Sequence, residues 1–188
     1  MRKKLSLIGF LVLLIITAFS QETEKKETNE EKGLKGVHRL TLVLGHSHVF
    51  GGIKENGKKG LKVFPSWGFD YDYWVSDRVA IGVQTDMVVE TFEVEDHENT
   101  IIERTRPVTA VAAAIIKAGK SIGFIAGMGG EFAHEGNFVV TRLGMEAGWE
   151  MKNNWEFGLS LVYDIKWNGY DSWGIGFGIT KLLRKHKE

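Results

Sequence analysis

Large apolar residues recur at every second position through much of this chain, most plainly from Trp155 to Trp167. Trp155, Phe157, Leu159, Leu161, Tyr163, Ile165 and Trp167 share one parity, and Glu156, Gly158, Ser160, Val162, Asp164 and Lys166 the other. A period of two is the mark of a β-strand. The run outlasts the usual globular strand of about five or six residues and exceeds the roughly 9–11 that cross a bilayer at a tilt. One face is bulky, while the other mixes glycine with charge. That inverts the soluble pattern and predicts a barrel strand with lipid outside and a tight polar interior.

Seven further runs carry the same alternation. They cover Val37–Phe50, Val63–Val75, Val79–Phe92, Ile102–Ile116, Ile122–Phe132, Phe138–Glu150 and a last run around Trp173–Ile179. Short turns are expected at 76–78, 117–120 and 152–154, and longer loops at 51–60, 93–100, 133–137 and 168–171. Short turns alternating with longer loops give an all-β, up-and-down antiparallel eight-stranded transmembrane β-barrel with both termini at one end. Aromatic residues add two belts, Tyr73, Trp74, Trp149 and Trp155 at the inner interface and Trp67, Trp167, Tyr170 and Trp173 at the outer. Amphipathic rings favour those two depths.

The N-terminus fixes the compartment. Arg2, Lys3 and Lys4 precede the apolar run Leu5–Phe19, and Ala18-Phe19-Ser20 offers a cleavage site, so residues 1–20 read as a secretory signal peptide. Losing those three basic residues takes the formal net charge from 0 to −3, which removes any electrostatic argument for nucleic acid. The chain has no cysteine, so disulfides, thiolate metal sites and a lipoprotein anchor are excluded. Residues 21–36 are charged and poor in large apolar groups, and are expected to form a disordered periplasmic leader. The barrel is expected to span 37–183, with a basic tail at 184–188.

The inward parity collects Asp70, Asp72, Asp86, Glu90, Glu131, Glu146, Glu150, Glu156 and Asp164 with Arg104, Arg106, Arg142 and Lys166. A lumen of eight strands is only wide enough for side chains to fill. These charges are therefore expected to pair into a buried network, with a narrow ion path or a catalytic interior as alternatives. The pattern resembles the small eight-stranded outer-membrane barrels of Gram-negative envelopes, such as the OmpA transmembrane domain and OmpX. The resemblance is architectural and transfers no functional residue. It implies location in the cell outer membrane and insertion by barrel-assembly machinery, for which Trp173–Ile179 looks like the C-terminal signal. The chain departs from that signal by continuing into Leu182–Glu188.

Candidate chemistry is sparse. His46, His48, His97 and His134 fall toward the outer rim, where neutral imidazoles can bind a divalent ion such as zinc or copper. Ser47 with those histidines raises a lipid A deacylase or acyltransferase, although alternation sets Ser47 on the face opposite both neighbours. The period-two glycines of Gly174–Gly178 and Gly127–Gly130 are small inward positions rather than nucleotide loops. The expected role is structural or interactive, without enzyme activity, cofactor or open pore. The partners are outer-membrane lipid and an external ligand met by loops 51–60 and 93–100, with the protein monomeric. A soluble periplasmic ligand-binding barrel is the remaining alternative.

Overall fold

A computed structural model describes residues 33–54 and 57–184. The signal peptide at 1–20, most of the leader and the tail beyond Arg184 lie outside the described residues.

Ten strands follow one another: β1 His38–Ile53, β2 Lys59–Trp74, β3 Val79–Val88, β4 Thr91–Glu95, β5 Ile101–Thr105, β6 Val108–Lys117, β7 Ile122–Ala133, β8 Gly136–Glu150, β9 Trp155–Lys166 and β10 Asp171–Leu183. Eight of them, all but β4 and β5, form the wall in the order β1-β2-β3-β6-β7-β8-β9-β10. Antiparallel pairing of β10 with β1, from His38 opposite Leu183 to Val49 opposite Ser172, closes the cylinder. Closure leaves no wall strand with a free edge, which a bilayer demands because lipid cannot hydrogen-bond backbone groups.

The two faces of the wall follow the alternation. Leu42, Leu44, Trp67, Phe69, Leu143, Met145, Leu159, Leu161, Phe177 and Ile179 are each more than 40% exposed, whereas Arg39, Asp72, Arg142, Asp164 and Thr180 are buried. Bulky apolar side chains lie outside and ionic ones inside. β9 has 12 residues, so at about 3.3 Å per residue and a tilt near 40° it rises about 30 Å, the thickness of a hydrocarbon core. Exposed Trp155 and Trp167 mark its two ends.

Three expectations need correction. The third and fourth predicted runs do not continue as wall strands. β3 stops at Val88 and β6 starts at Val108, and the chain between them folds away as the hairpin β4–β5. Both prolines of the chain stand at this bend. Pro107 has no amide to continue the ladder and follows Arg106, which is held at φ 45°. The carbonyls of Pro107 and Pro65 take the last wall amides, Val88 N–H at 3.1 Å and Val89 N–H at 3.2 Å. Secondly, much of the expected 51–60 loop is strand, because β1 and β2 run on to Ile53 and from Lys59. Thirdly, the end of the leader belongs to the fold. Leu34 and Lys35 amides donate to Asp77 Oδ1 at 2.7 and 3.0 Å, and Gly36 donates to the Trp74 carbonyl at 2.8 Å.

The turn at 152–154 is a single 3₁₀ turn with Asn153 and Asn154 at positive φ, a conformation asparagine tolerates.

Candidate functional site

The end carrying both described termini is called the inner end. From there the lumen rises through three ionic layers. Lowest is Arg39, 7% exposed, whose guanidinium grips Glu146 with two parallel bonds of 2.7 and 2.8 Å. The same guanidinium lies 3.3 Å from Asp72 and 3.8 Å from Glu156. Glycines make room for it. A Cβ on Gly82 would sit 2.5 Å from Asp72 Oδ1, and one on Gly148 2.7 Å from Glu156 Oε1.

In the middle layer Arg142 donates from Nε and Nη2 to Asp164, both at 2.7 Å, and from Nη2 to Asp86 as well. Asp70 shares this level and accepts the Thr85 amide at 2.9 Å. Between the lower and middle layers lies a cavity of about 90 Å³, lined by both arginines, their acidic partners other than Asp72, Gln84 and the hydroxyls of Ser47, Ser66 and Ser160.

The outer layer belongs to the folded-over hairpin. Arg104 on β5 is 1% exposed and donates to Glu131 of β7 at 2.7 and 3.1 Å and to the Gly136 carbonyl at 2.9 Å. Tyr170 donates to the same carboxylate at 2.9 Å, and Lys166 Nζ lies 3.5 Å from it. Above these groups Phe92 and Val94 of β4 pack with Val49, Phe64, Val88 and Tyr170. The hairpin leaves the wall at β3 and reaches β1 on the edge that β10 pairs lower down, with Gly52 opposite Val94. Its tip bonds to the last loop, His97 N–H to the Gly169 carbonyl at 2.8 Å. Glu135 accepts the Thr105 amide at 3.1 Å and its hydroxyl, and those bonds hold the Glu135 carboxyl below the usual carboxylate range.

Asp70, Asp72, Asp86, Arg104, Glu131, Arg142, Glu146, Glu156, Asp164 and Lys166 therefore face the lumen or its mouth. Three residues assigned there do not. Glu90 and Arg106 sit exposed at the bend, and Glu150, the last residue of β8, sits exposed at the inner rim, paired with Arg184 at 2.9 Å. Two belt residues are also corrected. Trp74 is 1% and Tyr170 2% exposed, so each plugs one end of the lumen instead of meeting lipid. Trp67, Tyr73, Trp149, Trp155, Trp167 and Trp173 remain at the outer surface to differing degrees. Sequence reasoning missed Arg39, although the phase set by Leu40, Leu42 and Leu44 places it inward.

The four histidines do not assemble. His46 and His48 point to the outer face, where His48 stacks on Trp173 with centroids 3.7 Å apart. His97 occupies the hairpin tip, 3.7 Å from Asp171, and His134 the β7–β8 turn. Among the described residues no three His or carboxylate side chains converge closely enough to hold a bare metal ion. Ser47 lines the cavity, on the opposite face from both neighbouring imidazoles, so the reach from nucleophile to base is not met.

No family model and no curated protein matches the sequence. Similar solved structures are membrane barrels. The attachment invasion locus protein Ail of Yersinia pestis is 13% identical over 78% of this chain and 99% of its own, with a TM-score of 0.47. The N-terminal β-barrel domain of Pseudomonas aeruginosa OprF is 13% identical over 78% and 98%, with a TM-score of 0.46. OprG from the same organism is 13% identical over 79% and 97%, with a TM-score of 0.45. What places this chain in a membrane is its own surface: a closed cylinder with an apolar band about as tall as a bilayer core, within which the charged side chains point inward. The protein is a small eight-stranded β-barrel of the outer-membrane type.

Proposed function

We propose that this protein acts through its outer surface, as a monomeric, non-enzymatic barrel whose lumen does not conduct. The observation that supports this reading is the hairpin laid across the outer mouth and fixed from below by Arg104, Glu131 and Tyr170. A solute arriving from that side meets packed phenylalanines rather than an opening. What the barrel presents there is a pair of charged hairpins. Lys54, Lys58, Lys59 and Lys62 lie around the β1–β2 connection, with Glu93, Glu95, Asp96, Glu98 and Glu103 on and around β4–β5. Lys59 and Glu95 join the two. Adjacent patches of opposite sign suit a partner with its own charge pattern, since complementary fields guide encounter and exclude mismatched surfaces. Lipid holds the wall, and β10 is the strand offered to assembly machinery.

The reading is tested in planar bilayers and on cells. Purified barrel is expected to give no steady unitary conductance at neutral pH, and trypsin added to whole cells is expected to cut at Lys58 or Lys59. A stable open channel would refute the closed lumen. Lipid A whose acylation changes with expression would refute the absence of enzyme activity.

A further inference from the structure

We propose that the β8–β9–β10 face holds one anionic phospholipid at its inner interface, with the headgroup phosphate on Lys181 and Lys152 and the acyl chains along the aromatic wall beside them. The site lies at the end of the barrel opposite the outer-surface role and stands whether or not that role does.

The first ground is a cation on the lipid-facing side of the wall. Lys181 shares the outward parity of exposed Phe177, Ile179 and Leu183, at the inner edge of the apolar band. On that parity of the eight wall strands the other Lys, Arg, Asp or Glu side chains are Lys59 and Asp171, both toward the outer end. A lysine facing lipid is tolerated where its stem lies along apolar surface and its ammonium reaches the headgroup level. Lys181 meets both conditions. Its Nζ lies 4.8 Å from the ring centroid of Trp155, the residue opposite it on β9, and donates to the Asn153 carbonyl at 2.8 Å in the exposed turn between β8 and β9. Both partners are uncharged, which leaves this ammonium without a carboxylate among the described residues. Lys152 is exposed in the same turn, one residue before Asn153, and the exposed acid nearby, Glu150, is taken by Arg184.

The second ground is the sorting of charge between the two rims. At the inner rim, outside the lumen, Lys35, Arg78, Lys117, Lys152, Lys181 and Arg184 stand against Asp77 and Glu150 among the described residues. The flanking stretches 21–32 and 185–188 bring six acidic and five basic residues, which leaves that sign unchanged. At the outer rim the sign reverses, because the acids of β4–β5 outnumber the lysines around the β1–β2 connection. Basic side chains near an anionic headgroup layer strengthen attachment to it, so the sign of the inner rim selects acidic lipid.

The neighbouring surface decides between a lipid and a soluble phosphate. Phe157 pairs with Ile179, one outward position from Lys181 toward the bilayer centre. Its ring stacks on Trp149 with centroids 5.0 Å apart and on Phe177 at 6.3 Å. Together these rings carry apolar surface from the headgroup level into the hydrocarbon, where acyl chains lie. Trp155 adds the amphipathic ring that favours the interface itself. Two ammoniums at one turn meet a phosphate as mobile point charges, which suits a headgroup that is not held in a rigid pocket. Phosphatidylglycerol is the simplest lipid with these properties and serves as the probe.

The test uses the full mature barrel folded in maltoside micelles, with native mass spectrometry to count retained lipid. One phosphatidylglycerol per barrel is expected, held about tenfold tighter than phosphatidylcholine with the same chains. Lys181→Gln and Lys152→Gln are each expected to weaken it about fivefold, while Lys54→Gln, the same charge change at the outer end, leaves it unchanged. Equal retention of the two lipids would overturn the site. So would equal weakening by Lys54→Gln, or binding that survives both inner variants. Glycerol phosphate, which has the phosphate without the chains, is expected not to compete at equal concentration, and competition by it would overturn the lipid assignment. Should Lys181→Gln lose its heat-modifiable gel migration and so fail to fold, Lys152→Gln in the exposed turn decides the outcome.

Discussion

The two ends of the lumen are closed by different means. At the outer end a whole hairpin, Thr91–Thr105, crosses the mouth, buries Phe92 and Val94, and sends Arg104 down to Glu131, with Tyr170 and Lys166 completing the network. At the inner end the closure is a few residues deep: Leu34 packs near Trp74, Val37 and Leu182, held by hydrogen bonds from the Leu34 and Lys35 amides to exposed Asp77. The first can open only by breaking a buried ion network and an aromatic cluster together. The second can open by a local movement of one turn. Of the two ends, the inner one is where the interior exchanges with its surroundings, because low-stability segments are the ones that fluctuate.

Substitutions that remove one kind of closure at a time sharpen this contrast. Arg104→Met has the largest expected effect, since it leaves Glu131 buried with Lys166 as its remaining base. A loss of about 3–5 kcal/mol is expected, read by urea unfolding in lipid vesicles, and the hairpin is expected to become cleavable by protease. Phe92→Ala comes next. Its ring stacks on Phe64 with centroids 4.6 Å apart and meets Tyr170 edge-on at 5.9 Å, so truncation costs about 3 kcal/mol, and conductance bursts in planar bilayers would report transient opening. Leu34→Ala at the other end removes a half-buried side chain and is expected to cost about 1 kcal/mol, by the same unfolding assay. If it costs more than Phe92→Ala, the ranking of the two closures is reversed.

The smallest effect is a pH dependence at the inner turn. The amides of Lys35 and Leu34 hold the Asp77 carboxyl below its ordinary value of 3.8. A group depressed on folding contributes stability that is present above its unfolded value and lost as pH falls through the folded one. The Leu34 and Lys35 amide resonances are therefore expected to titrate with a midpoint under 3.8, and Asp77→Asn to abolish that titration.

Much of this architecture is written in the alternation. The parity of Trp155–Trp167 sorted lipid-facing from lumen-facing residues along β9, and the same rule placed Arg142, Glu146 and Asp164 correctly. Parity cannot say where a strand leaves the wall. Val88, Phe92 and Val94 keep one phase across the bend and all are buried, so a hairpin folded over the mouth has the same pattern as a strand running past it. The available signal was chemical: Pro107 just after Arg106, and Pro65 where the neighbouring strand must pair. Trp74 shows the opposite error. Its parity points inward, and in the folded chain that parity outweighs the preference of tryptophan for interfaces. Tyr170 lies in a turn, where alternation stops carrying information. The ion partners were out of reach for another reason. Arg39 meets Glu146 across 107 positions of sequence, and only closure of the cylinder makes them neighbours.

The hairpin also carries information about timing. Its tip is anchored to Gly169 between β9 and β10, and its first strand pairs with Gly52 near the end of β1. Those two landing points lie at opposite ends of the chain and come together only when the β1–β10 seam has zipped. Docking of the hairpin is thus a late kinetic event, and protection of the His97 amide from hydrogen exchange would serve as a stopwatch for completed insertion.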